Sequence, residues 1–188
     1  RFGFGETFNF GLPGENRGLI PTPAWKRKTF GQAWHAGETL ITSIGQGFIL
    51  CTPLQLAVMT CRLVNGGRSV SPRLLRNENA KTLKAKSLQL NPQHLRTILK
   101  GMDKGVNGPH GTARKVVNQD TKFQFGGKSG SVQVKRISLD ERESGKLENK
   151  DRPWHERDHA MFVAFAPLKA PRYVASVVVE HGGGGSTM

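Results

Sequence analysis

The chain has 188 residues, with 28 Lys and Arg against 14 Asp and Glu, so its formal net charge is +14 and its isoelectric point lies near 10.4. A hydrophobic share of 36%, spread along most of the sequence, supports a packed core and excludes global disorder; the length fits one domain or a large part of one. No apolar run approaches the roughly 18 residues of a membrane-spanning helix, no secretory signal opens the chain, and two cysteines cannot form a disulfide framework.

The opening stretch, RFGFGETFNFGLPGE, has no initiating Met and reads as the interior of a longer protein. Residues 1–51 read as structured loops: GLPGE and PTPAW are turn signals, while Trp25, Phe30 and Trp34 are too large and apolar for a free tether. The densest basic run, Lys26-Arg27-Lys28, reads as a solvated face. The positive charge is otherwise scattered, which suits an anionic surface or polymer but not a nucleic-acid partner.

A helical part follows over 52–110. Thr52 is an N-cap, Pro53 sits at N1 and Gln55 at N3, a capping box that opens a helix ending at Asn65-Gly66-Gly67. Leu56, Ala57, Val58, Met59, Leu63 and Val64 form its broad apolar face. Cys51 and Cys61 read as lying on this one helix about 15 Å apart, too far to bridge. Asn91 and Pro92 open a second helix whose stripe is Leu95, Ile98, Leu99, Met102 and Val106, with NGPHG as its stop.

Residues 111–188 read as sheet. The segments FQFGGKSGSVQV, AMFVAFAP and YVASVVVE are rich in β-branched and aromatic residues, and Pro167 and Pro171 punctuate the last two as a hairpin. Between the first two, 136–158 is dense in charge of both signs and poor in aliphatics, which predicts a long, exposed and mobile or irregular loop, with Arg157 and Asp158 as an ion pair shaping its return. The whole reads as an α+β fold, an antiparallel sheet with helices on its faces.

The segment Gly126-Gly127-Lys128-Ser129-Gly130-Ser131 carries the chemistry. A phosphate-binding loop of the form G-x-x-x-x-G-K-[ST] needs Gly at 122, where Lys stands, and a helix after the Ser, where SVQV alternates like a strand. The surviving reading is a K-[ST]-G strand, Lys128-Ser129-Gly130. Such a strand offers a fixed cation at Lys128 and two hydroxyls, Ser129 and Ser131, on one face, the three expected to project into one groove, with Gly130 between the serines pointing away and leaving room for packing behind the strand or for local backbone adjustment. Gln46, between Gly45 and Gly47, either lines this site or forms a structural turn. His159 and His181 read as packing or surface residues, with no metal-like spacing around them.

Around this motif, SIGQGFILCTPLQLAVMTCRLVNGG, GTARKV, RDHAMFVAFAP and SVVVEHGGGG resemble, in order and spacing over roughly residues 5–185, the transpeptidase domain of the class B penicillin-binding proteins. RDHAMFVAFAP, PTPAWKRK and GKSGSVQV are in the style of the elongation-specific branch of that family. The resemblance implies the penicillin-binding transpeptidase fold, incomplete here and without its usual C-terminal helix, in a serine acyltransferase that cross-links peptidoglycan stem peptides and is trapped by β-lactams. It implies catalytic roles for Lys128 and Ser131, the latter giving its N–H as half of an oxyanion hole. It also implies a substrate-binding role for Ser129, Gly130 and Ser131. The family usually has Thr at 131; Ser keeps the hydroxyl and loses the methyl that restricts its rotamer.

No cofactor or metal is implied. Partners implied are stem peptides, β-lactams, a membrane-embedded glycosyltransferase and elongation-complex proteins, at the periplasmic face of the inner membrane, with anchoring by an N-terminal segment absent from this sequence. The family's S-x-x-K nucleophile and its S-x-N or S-x-D motif do not occur ahead of the KSG strand, so this chain by itself is expected to be inactive. The alternative is a non-catalytic wall-peptide or anion-binding module on the same fold.

Overall fold

The computed structural model describes residues 1–75, 85–117, 120, 123–135, 138, 140, 143 and 149–185. Its elements run α1 (Pro23–Phe30), α2 (Ala36–Ser43), α3 (Pro53–Val64), α4 (Pro92–Asn107), β1 (Gly126–Val132), β2 (His159–Ala166) and β3 (Tyr173–Val179). The strands form one antiparallel sheet in the order β1-β2-β3, so β1 is an edge strand. The α+β expectation holds, and β2 and β3 are the predicted hairpin neighbours.

Both long helices start where their caps were read. The Thr52 hydroxyl accepts from the Gln55 N–H at 3.2 Å, and the Gln55 side chain accepts in return from Thr52 N–H at 3.1 Å. Asn91 caps α4 through its side chain, 2.8 Å from Gln93 N. On α4, Leu95, Met102 and Val106 are buried, whereas Ile98, expected in the stripe, is exposed at its margin. Met102 joins Val163 and Phe165 in a core cluster, with Leu56 and Val64 of α3 and Leu99 of α4 packed against it. Register places Val163, Phe165 and Val174 on one face of the sheet, so α3 and α4 cover that face. Tyr173, Val177 and Val179, in register with the opposite face, are exposed.

The loop reading of 1–51 is corrected at α1 and α2. Thr22 caps α1 by accepting from Trp25 N at 3.1 Å, with Pro23 in the first turn, the same device that opens α3. Two turns are too short to show a period, and α1 buries only Lys26. That ammonium meets Glu38 of α2 at 2.6 Å and ties the two helices. A hydrogen bond from His35 N–H, then the one from Lys26, holds the Glu38 carboxyl below its ordinary range. Cys51 is also corrected: it precedes the cap and lies outside α3, which contains Cys61. Both cysteines are free, and burial pushes both thiols up.

The remaining loop is ordered by α3. Gln55, 1% exposed, donates to the carbonyls of Glu6 and Arg17, each at 2.9 Å. Arg62, 4% exposed, donates to the carbonyls of Arg1 at 2.9 Å and Val70 at 3.1 Å. Helix α3 therefore packs one side on the sheet and holds the N-terminal loop with polar side chains on the other. Ten residues of the predicted mobile loop, all between 136 and 148, lie outside the described residues; its described end forms short 3-10 turns at Asn149–Asp151 and Trp154–Glu156. There Arg157 donates to the carbonyls of Arg152 and Lys150; among the described residues Asp158 pairs with Arg152, at 3.8 Å, and not with Arg157.

Candidate active site

Strand β1 begins on two buried glycines. A Cβ on Gly126 would lie 2.6 Å from the Phe165 ring, and one on Gly127 2.6 Å from the Phe162 ring. Two aromatic rings of β2 thus clamp the strand from its two faces where it has no side chains. Helix α4 adds a hydrogen bond from Asn107 Nδ2 to the Phe125 carbonyl, 2.9 Å.

Beyond the glycines the strand carries the candidate residues in the open. Ser129 and Ser131 lie opposite Phe162 and Ala160, on the uncovered face, while Lys128 lies opposite Val163, on the helix face, and Gly130 opposite Met161. The expectation that Lys128, Ser129 and Ser131 project into one groove is corrected: consecutive residues leave a pleated strand on opposite sides. The lysine stem bends its ammonium to the edge, where Nζ donates to the Ser129 carbonyl at 2.6 Å. Lys128 stands within a strand and not ahead of a helix, which excludes the phosphate-loop reading.

In an antiparallel pair a residue's N–H and C=O point together, toward the partner strand or away from it, in alternation. The carbonyls of Phe125, Ser129 and Ser131 take side-chain donors: Asn107, Lys128 and, at 3.0 Å, Gln46 Nε2. Odd positions therefore face the free edge, and the N–H of Ser131 points there too. This edge joins an ammonium, two hydroxyls and an outward N–H on a rigid strand, a set able to bind a carboxylate and stabilise a developing oxyanion.

Three residues outside the KSG strand complete the site, of which the sequence singles out only Gln46. Gln46, left open between lining and structural roles, reaches β1 itself; Gly45 and Gly47 hold φ of 77° and 81°, a double left-handed turn that aims it and that L side chains rarely adopt. Thr112 brings its hydroxyl to 3.1 Å from that of Ser129. Gly185 donates its N–H to the Ser131 hydroxyl at 3.3 Å, and a Cβ there would overlap the carbonyls of Gly130 and Met161. A Cβ on Gly130 would make only an ordinary 3.7 Å contact with Met161. Of the two roles expected of Gly130, room for packing behind the strand is not needed there; the glycine that the packing requires is Gly185. The only signals for these partners were GTA after the helix stop and the terminal glycine run.

His159 and His181 pack on each other at 4.6 Å between ring centroids, and Trp154 stacks on His181 at 4.3 Å. His159 Nδ1 accepts from the His181 N–H at 2.9 Å, a structural use of both rings at the end of the strand pair.

Residues 1–188 match the family described as the penicillin binding protein transpeptidase domain. The chain is 35% identical to the peptidoglycan D,D-transpeptidase MrdA of Haemophilus influenzae over 99% of its own length and 29% of that protein's. It spans about three-tenths of the length of the curated relatives it matches. Among solved structures it is similar to Pseudomonas aeruginosa PBP2 in complex with WCK 5153, with 37% identity, a TM-score of 0.79, and coverage of 98% of this chain and 38% of that one. Helicobacter pylori PBP2 in complex with MreC gives 34% identity and a TM-score of 0.81 over 98% of this chain and 31% of that one.

Proposed function

Since the chain belongs to the penicillin-binding-protein transpeptidase family, we propose that the protein carrying it is a serine-type peptidoglycan D,D-transpeptidase of cell-wall elongation. The observation that carries this reading is the open edge of β1, where Lys128, Ser129, Ser131 and the Ser131 N–H come together. The nucleophilic Ser and the second motif belong to a part of the protein outside this sequence.

In the proposed reaction, that Ser attacks the carbonyl between the two terminal D-Ala residues of a stem peptide. The carbonyl oxygen takes up negative charge against the Ser131 N–H, the C–N bond breaks, and D-Ala leaves with a proton on its nitrogen. An amine of a neighbouring stem then attacks the acyl-enzyme, forming the cross-link and regenerating the Ser. Ser129 and Ser131 hold the terminal carboxylate by their hydroxyls, with Gly130 giving the strand its passage between them. Lys128 supplies positive charge beside the reacting groups and a place in the proton relay. A β-lactam enters by the same attack and stays as a stable acyl-enzyme.

The similarity to the H. pylori protein solved with MreC supports an elongation-complex partner of that kind, beside a membrane-embedded glycosyltransferase. Among the described residues no helix is long and apolar enough to cross a membrane. In this proposal a segment outside the sequence anchors the protein at the periplasmic face of the inner membrane.

Intact mass spectrometry after penicillin treatment tests the reading. The complete protein is expected to gain one adduct, on a Ser outside this sequence, and the chain alone none. An adduct on the chain alone, or none on the complete protein, overturns it.

A further inference from the structure

Both serine hydroxyls of β1 are approached from outside the strand by a hydroxyl or amide group. A hydroxyl gives one proton and accepts through two lone pairs. Ser131 Oγ accepts from the Gly185 N–H, so its own proton is left to donate. Ser129 Oγ stands 3.1 Å from Thr112 Oγ1, and either can be the donor. Once an anion engages the Ser129 proton, only one direction remains, with Thr112 donating to Ser129 and Ser129 to the anion. Both hydroxyls are then left as donors on the same face of the strand.

Thr112 is itself held in place. A Cβ on its neighbour Gly111 would stand 2.6 Å from the Gly105 carbonyl and 2.7 Å from that of Lys104, so the turn can lie that close to the end of α4 only with glycine there. On its other side Ala113 is buried and donates its N–H to the Gly105 carbonyl at 3.0 Å. The Thr112 side chain is exposed between these two fixed residues, so its hydroxyl is available to the site and contributes nothing to the core.

We propose that Thr112 is a positioning residue that makes the Ser129 hydroxyl a dedicated donor to the substrate's terminal carboxylate. Thr112 acts through Ser129 and sets recognition of the carboxylate, not the acyl transfer itself. The proposal deepens the transpeptidase reading and rests on it.

The test is the acylation rate of the complete protein by a β-lactam with a free carboxylate and by the methyl ester of the same compound. The expected result for Thr112→Val is a loss of about fivefold with the free carboxylate, the worth of one hydrogen bond between neutral groups, and little change with the ester. Thr112→Ser, which keeps the hydroxyl, should restore the rate. Equal losses on both probes, no loss on either, or a Thr112→Ser variant as slow as Thr112→Val overturns the role of Thr112 alone. An unsubstituted protein that takes up neither probe overturns the transpeptidase reading, and this proposal with it.

Discussion

The two halves of β1 are built on opposite terms. Gly126 and Gly127 are buried, project no side chain and lie between the rings of Phe165 and Phe162. Lys128 to Ser131, on the same strand, are exposed or half-buried and are met by single polar contacts from Thr112, Gln46 and Gly185. The first half is fixed by packing and offers no chemistry. The second offers chemistry and takes its rigidity from the first, which lets its side chains stay solvated without the strand losing its place.

The sharpest way to separate the halves is to remove function without touching stability. Lys128→Ala in the complete protein is expected to slow penicillin acylation by about 10²- to 10³-fold, the loss typical of one charge-stabilising group in an active site. Its melting temperature should stay unchanged, because Lys128 is exposed and its hydrogen bond returns to its own strand. A fall of several degrees would show that the second half carries load.

The reverse substitution is Gly127→Val. Its Cβ would meet the Phe162 ring at 2.6 Å and the Val163 carbonyl at 2.8 Å, and overpacking of that kind costs about 1–3 kcal/mol. Urea denaturation should show the unfolding free energy falling by that amount, with a lower midpoint at an unchanged slope. An unchanged midpoint would mean that the aromatic clamp is slack and the comparison wrong. The mildest effect is expected of Gln46→Ala, which deletes one hydrogen bond to the Ser131 carbonyl, worth about 1 kcal/mol. Acylation should slow by about fivefold, with faster amide exchange confined to the end of β1; protection lost along the whole strand would assign Gln46 to the fold.

The same contrast explains what could be read from the residues. The caps of α3 and α4, the three strands and the common face of Ser129 and Ser131 depend on neighbours a few positions apart, and all were legible. Helix α1 has the Thr-Pro opening of α3 but only eight residues, too few for its period to stand out. Lys128 was misplaced relative to the serines because the strand's alternation was applied to them and not to it. Gln46, Thr112 and Gly185 reach β1 across 85, 17 and 54 positions. Such contacts exist only once the sheet and helices are assembled, and a single polar residue or glycine carries no pattern that announces them.

The buried amide of Gln55 has a consequence for how the molecule comes apart. It satisfies the carbonyls of Glu6 and Arg17, 49 and 38 positions away, and neither bond can open without stranding a polar group in a dry place, at about 1–3 kcal/mol each. Arg62, two turns further along the same face of the helix, holds Arg1 and Val70 in the same way. An arm that looks in sequence like the part most ready to fray is therefore a member of the same foldon as α3 and is lost only when that helix is lost. Proteases that cut extended chain would find the places where the arm is pinned to α3, at Arg1, Glu6 and Arg17, closed to them while that helix stands, and only the exposed turn at 11–14 open.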